Sequence, residues 1–98
     1  MSRSLVFHPD VGDEVNDAYQ WYETRRAGLG DDFLAALEVI YRAVRATPEM
    51  HQVVEMGIRR SLLRRFPYAV YYRVDADRVE VVPVQHGHRD PENWRARV

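Results

Sequence analysis

Arg59-Arg60-Ser61-Leu62-Leu63-Arg64-Arg65-Phe66-Pro67-Tyr68-Ala69-Val70-Tyr71-Tyr72-Arg73 sets two β-prone runs on either side of a proline and spreads five arginines through them. The composition predicts one strand at about 58–65 and a second at about 68–74, with Pro67 permitting a turn or a strand start between them. Asp75-Ala76-Asp77 makes the next turn, and Val79-Glu80-Val81-Val82-Pro83-Val84 carries a third strand over about 78–86. Short links between consecutive strands give an antiparallel meander, in which Pro83 implies an edge position or a bulge. Alternation in the first of these strands places Arg60 and Arg64 on one side and Arg59 and Arg65 on the other.

Upstream the period changes. Ser4-Leu5-Val6-Phe7-His8 is a short β-prone run closed by Pro9. Val15, Ala18, Tyr19 and Tyr22 then recur at helical spacing from about residue 11 to 26, with Asp10 as candidate cap and Asp13, Glu14 and Asp17 in the early turns. Gly28-Leu29-Gly30 reads as a turn, and Asp31 or Asp32 starts a second helix whose stripe of Phe33, Leu37, Ile40 and Val44 runs to about residue 46. Thr47-Pro48 stops it, and 49–57 reads as a loop. The expected fold class is α+β in the order β-α-α-β-β-β, with an antiparallel helical hairpin packed on the C-terminal three-stranded meander.

At 98 residues the expectation is a single domain, 1–98. With 46% hydrophobic and 30% charged residues the chain has the composition of a folded globular protein and not of a disordered one. It has no Cys, which excludes disulfides and thiolate metal sites, and its N-terminus resembles neither a signal peptide nor a membrane span. No membrane partner is expected, and the expected compartment is the cytoplasm. All 14 basic residues are Arg, each a planar fork suited to carboxylates, phosphates or aromatic faces. The net charge of −1 divides into −4 over residues 1–50 (5 Arg, 9 Asp/Glu) and +3 over residues 51–98 (9 Arg, 6 Asp/Glu). An anionic partner for the second half fits that division, and so does attraction between the two halves of one fold.

Trp21-Tyr22-Glu23, Gly28-Leu29-Gly30, Phe33, the Arg59 to Tyr72 run and His86-Gly87-His88-Arg89-Asp90-Pro91, taken in this order, closely resemble the RelE/ParE superfamily of toxins from toxin–antitoxin systems, and the ParE-like branch in particular. The resemblance spans nearly the whole chain. It implies a bacterial toxin of a type II, plasmid-stabilising system, held as a hetero-oligomer by an antitoxin encoded beside it. ParE-like members inhibit DNA gyrase, whereas RelE-like members are metal-independent, ribosome-dependent messenger-RNA endonucleases.

RNA cleavage needs a base for the ribose 2′-hydroxyl, cations for the scissile phosphate and an acid for the leaving oxygen. The Arg that in the nuclease branch follows the Tyr opening the strand at about 68–74 aligns with Ala69, and the tyrosine expected after Arg89 is replaced around Asn93-Trp94, whose indole transfers no proton at neutral pH. A nuclease built on this chain is left with Arg65, His86, His88 and Arg89. His86 and His88 are the remaining acid/base candidates, since imidazole is the side chain that titrates near neutrality without perturbation, but strand-end capping by His86 and solvation of His88 are the favoured explanation. No acidic or Cys cluster completes a metal site around them, and no cofactor is implied. The leading expectation is therefore a noncatalytic gyrase inhibitor that docks antitoxin or target through Arg59, Arg60, Arg64, Arg65, Arg73, Arg89 and Trp94. A ribosome-dependent ribonuclease and an inactive antitoxin-binding module are the alternatives. Arg73 opposite Glu80 also fits a simple cross-strand ion pair. Alternation should bury Tyr68 and Tyr72, or else Tyr71.

Overall fold

The runs flanking Pro67 form two strands, and the first stops earlier than its composition suggests. A computed structural model describes residues 4–55 and 57–83. The order is β1 Ser4–Phe7, α1 Val11–Arg25, α2 Leu29–Ala46, a single 3-10 turn at Pro48–Met50, β2 Gln52–Glu55, β3 Ile58–Leu62, β4 Ala69–Val74 and β5 Arg78–Val82. One five-stranded sheet runs β1-β5-β4-β3-β2, with β1 parallel to β5 and the other neighbours antiparallel. The α+β class and the helical hairpin on the sheet are as the sequence predicts.

Apolar stripes explain the packing. Ala18 and Tyr22 of α1 and Phe33, Leu37, Ile40 and Val44 of α2 are buried against Val70, Tyr72, Val79 and Val81 of the sheet. Tyr22, Phe33 and Phe66 form a ring cluster with centroids 4.9 to 5.6 Å apart, and Tyr68 meets Phe33 edge-on at 5.0 Å. Such aromatic contacts add stability beyond the area they remove from water.

Five sequence readings need correction. Residues 49–57 are not a loop throughout, since Gln52–Glu55 pairs with β3 through Val53↔Arg59 and Gln52↔Arg60. The strand expected at 58–65 ends at Leu62, because Leu63 turns inward, its N–H donates to the Tyr68 carbonyl at 3.0 Å, and Phe66 is drawn into the ring cluster. Arg64 and Arg65 therefore lie in a turn, and the strand alternation assigned to them does not apply. The strand expected at 78–86 stops at Val82, immediately before Pro83, and β5 lies inside the sheet and not at an edge. A proline there ends the ladder because it has no N–H to donate. Residues 84–86 of that expected strand lie outside the described residues.

The second helix starts at Leu29, not at Asp31 or Asp32. Gly28 is its cap residue at φ +90°, Gly30 is buried in its first turn, and the two aspartates supply favourable charge there. Asp10 occupies the cap position of α1, but its side chain makes no capping bond; its N–H donates to Nδ1 of His8 at 3.1 Å instead.

Candidate functional site

The arginines of the 59–73 stretch do not share one surface. Strand register puts Arg59 on the helix side of β3 with Tyr72, and Arg60 on the far side with Tyr71. Arg59 reaches back over the chain that leaves α2, where its Nη1 donates to the carbonyls of Glu49 (3.2 Å) and His51 (2.8 Å). Beside it the Tyr72 hydroxyl donates to the Pro48 carbonyl at 2.5 Å, and the His51 ring stands edge-on to Tyr72 at 6.1 Å. The carbonyls of Pro48, Glu49 and His51 are thus held by side chains of the sheet, which assigns Arg59 a structural task.

On the far face Arg60 donates to Oε1 of Gln52 at 3.3 Å, and Arg73 pairs across the ladder with Glu80 at 3.5 Å. Exposed pairs of this kind contribute little stability, on the order of 0.2–1 kcal/mol. Leu62, two residues beyond Arg60 at the end of β3, is 60% exposed and stands directly opposite Ala69. The Leu62–Ala69 position is thus an apolar pair on the far face of the sheet.

Arg64 and Arg65 are exposed in the β3–β4 turn, at the mouth of a groove of about 340 Å³ lined by Asp32, Ala35, Ala36, Val39 and Ile40 of α2. A second groove on the other flank of α2, about 430 Å³, is bounded by Phe7, Val11, Val15, Leu34 and Tyr41. Neither groove was legible in the sequence, because Ala35, Ala36 and Val39 in the first and Leu34 in the second flank a stripe already explained by the core.

The interleaved tyrosines are core residues. Tyr68, Tyr71 and Tyr72 are all buried, so alternation does not choose between them: Tyr72 faces the helices, and Tyr71 is buried on the opposite face beside Val82. Burial pushes the Tyr72 hydroxyl up to about 12, with the nearby Arg59 charge pulling the other way. It drives the Tyr68 hydroxyl higher still, helped by the negative charge of Glu14. Neither is suited to carry a proton near neutrality. Among the described residues no group of three or more His, Asp or Glu is placed to hold a metal ion. No helix among them is long and apolar enough to cross a membrane. His86, His88, Arg89 and Trp94 lie outside the described residues.

The family model of the ParE toxin of type II toxin–antitoxin systems matches residues 5–91. The chain belongs to the ParE toxin family. Toxin ParE2 from two strains of Mycobacterium tuberculosis is 23% identical over 99 residues, covering 100% of this chain and 94% of that protein. A chain from the chromosomal ParDE toxin–antitoxin system of P. aeruginosa superposes with a TM-score of 0.75 at 14% identity, over 83% of this chain and 91% of the other. The ParE assignment makes sense of the helical-hairpin motifs. Glu23 of Trp21-Tyr22-Glu23 accepts the N–H groups of Gly28 and Gly30, tying the end of one helix to the start of the next.

Proposed function

We propose that this ParE-family chain inhibits DNA gyrase by binding, without catalysing a reaction, and that a cognate antitoxin encoded beside it neutralises it in the cytoplasm. The observation that carries the reading is the Leu62–Ala69 pair on the far face of the sheet, an apolar pair where the resemblance to the nuclease branch would call for an arginine at Ala69 to hold a scissile phosphate. The buried tyrosines point the same way, since burial removes them as proton carriers near neutrality. In this reading Arg60, Arg64, Arg65 and Arg73, with Arg89 and Trp94 of the tail, supply docking contacts, while Arg59 serves the fold. Guanidinium groups suit that role because they recognise carboxylates bidentately.

Induced expression tests it. Growth should arrest, co-expression of the adjacent small protein should restore it, and messenger RNA should acquire no new ends. New message ends within translated frames would replace this reading with the ribonuclease. Unimpaired growth would leave an antitoxin-binding module without toxicity.

A further inference from the structure

Both helices lie on one side of the sheet, packed on Val70, Tyr72, Val79 and Val81. The other side carries Tyr71 and Val82 as a cross-strand pair, with Arg60 opposite Tyr71 on β3 and with Ala69 and Arg73 two positions away on β4. An antiparallel face that no second layer covers is solvated. Leu62 on this face conforms at 60% exposure, but Tyr71 is 3% exposed and Val82 2%.

Neighbours within the sheet do not produce that burial. Side chains stand roughly perpendicular to a sheet, so a tyrosine ring flanked by them is still open at its outer end. The two long neighbours lead away from it: Arg60 bonds to Gln52 on β2, and Arg73 pairs with Glu80 on β5. Ala69 is too short to reach over it.

Connectivity identifies the cover. β5 ends at Val82, the cross-strand partner of Tyr71, and the chain leaves it through the fully buried Pro83. Residues 84–98 follow, with an extended reach of about 50 Å against about 20 Å for the width of five strands. Residues 1–3 fall short. They precede Ser4, which opposes Arg78, and reach about 10 Å toward a Tyr71 about 16 Å away, four positions along and two strands across. Met56 belongs to the β2–β3 link, two strands or more from Val82.

We infer that residues 84–98 fold back across the far face of the sheet as its second layer, with the Trp94 indole seated on Tyr71 and Val82. Trp94 is the one large apolar side chain in that segment, and aromatic rings gain from offset or edge-on contact with one another. Seated there, the outer edge of the indole stands beside Arg60 and Arg73, so residues from two ends of the sequence share one face. The inference holds whatever the target of the chain.

The test uses the intact chain. Nuclear Overhauser spectra of the wild type should show the Trp94 indole protons in contact with the Tyr71 ring and the Val82 methyls. Nitration by tetranitromethane, mapped by mass spectrometry, should leave Tyr71 as protected as Tyr72, its neighbour under the helices. Trp94→Ala should raise nitration of Tyr71 by about 10-fold or more while Tyr72 stays protected, and Trp94→Phe should restore most of the protection. Tyr72 thus reports on the fold in each variant. If both tyrosines react in Trp94→Ala, that variant has lost its fold and the wild-type spectra decide alone. A Trp94 indole in contact with no far-face residue would overturn the inference. So would a Tyr71 that reacts freely in the wild type, or one that stays as protected in folded Trp94→Ala.

Discussion

Glu23 and Gly30 lock the helical hairpin: Oε1 of Glu23 accepts the Gly30 N–H at 2.9 Å while Oε2 accepts that of Gly28 at 2.9 Å. A helix start leaves N–H groups without intrahelical partners and carries partial positive charge, and one carboxylate from the preceding helix answers both. Glu23→Ala should therefore cost about 1–2 kcal/mol. A chain of this size should lose roughly 4–8 °C in Tm per kcal/mol, which a thermal melt by circular dichroism reads directly.

Two helical glycines, Gly30 at this junction and Gly12 at the start of α1, should respond to alanine with opposite signs. A Cβ on Gly30 would lie 2.9 Å from the Tyr19 carbonyl oxygen, backbone of α1 that cannot swing aside, and 2.8 Å from Oε1 of Glu23. Alanine gains up to about 1 kcal/mol of helix propensity. Crowding at fixed backbone costs about 1–3 kcal/mol, so Gly30→Ala should destabilise. Gly12, also helical, meets nothing within 4 Å, and Gly12→Ala should stabilise. Chemical denaturation of the two variants compares the signs.

Arg59 and Tyr72 hold the crossover from α2 to β2, a structural task that Arg64 and Arg65 do not share. Tyr72→Phe deletes the buried hydroxyl that donates to the Pro48 carbonyl and should cost about 1–3 kcal/mol. Arg59→Gln should also lower the denaturation midpoint, while Arg64→Gln and Arg65→Gln should leave it within about 0.5 kcal/mol of wild type, being exposed and unengaged among the described residues.

Alkaline pH should unfold the protein through its buried tyrosines. Burial raises Tyr22, Tyr41 and Tyr72 from 10.0 to about 12, and Tyr68 in the same direction. The folded state then holds protons that the unfolded chain releases, so stability is intact below pH 10 and falls as pH rises from there through about 12. The tyrosinate absorbance of Tyr22, Tyr41, Tyr68 and Tyr72 should appear together with the loss of circular dichroism, above the ordinary tyrosine range. Four tyrosinates appearing near pH 10 with structure intact would contradict the burial.

Periodicity and composition made both helices and strands β1, β3, β4 and β5 legible; in α2, Phe33, Leu37, Ile40 and Val44 admit only one face. β2 escaped it for a physical reason: four residues carry too little alternation, and Pro48 reads as a stop. The available signal was Val53-Val54 followed by Gly57, which adopts φ +79° in the link between two paired strands. Arg64 and Arg65 were misplaced because strand propensity ignores the pull of Leu63 and Phe66 toward the core. The arginines as a group were visible in the sequence, but their division into loop anchor, far-face pair and groove rim depends on register, which no local pattern specifies.

The measurement that bears most directly on the proposed mode of action is ATP-dependent supercoiling by purified DNA gyrase with increasing amounts of this chain. The account predicts dose-dependent loss of supercoiling that stoichiometric antitoxin restores. Full supercoiling at large toxin excess, with folded protein that still binds the antitoxin, would contradict it.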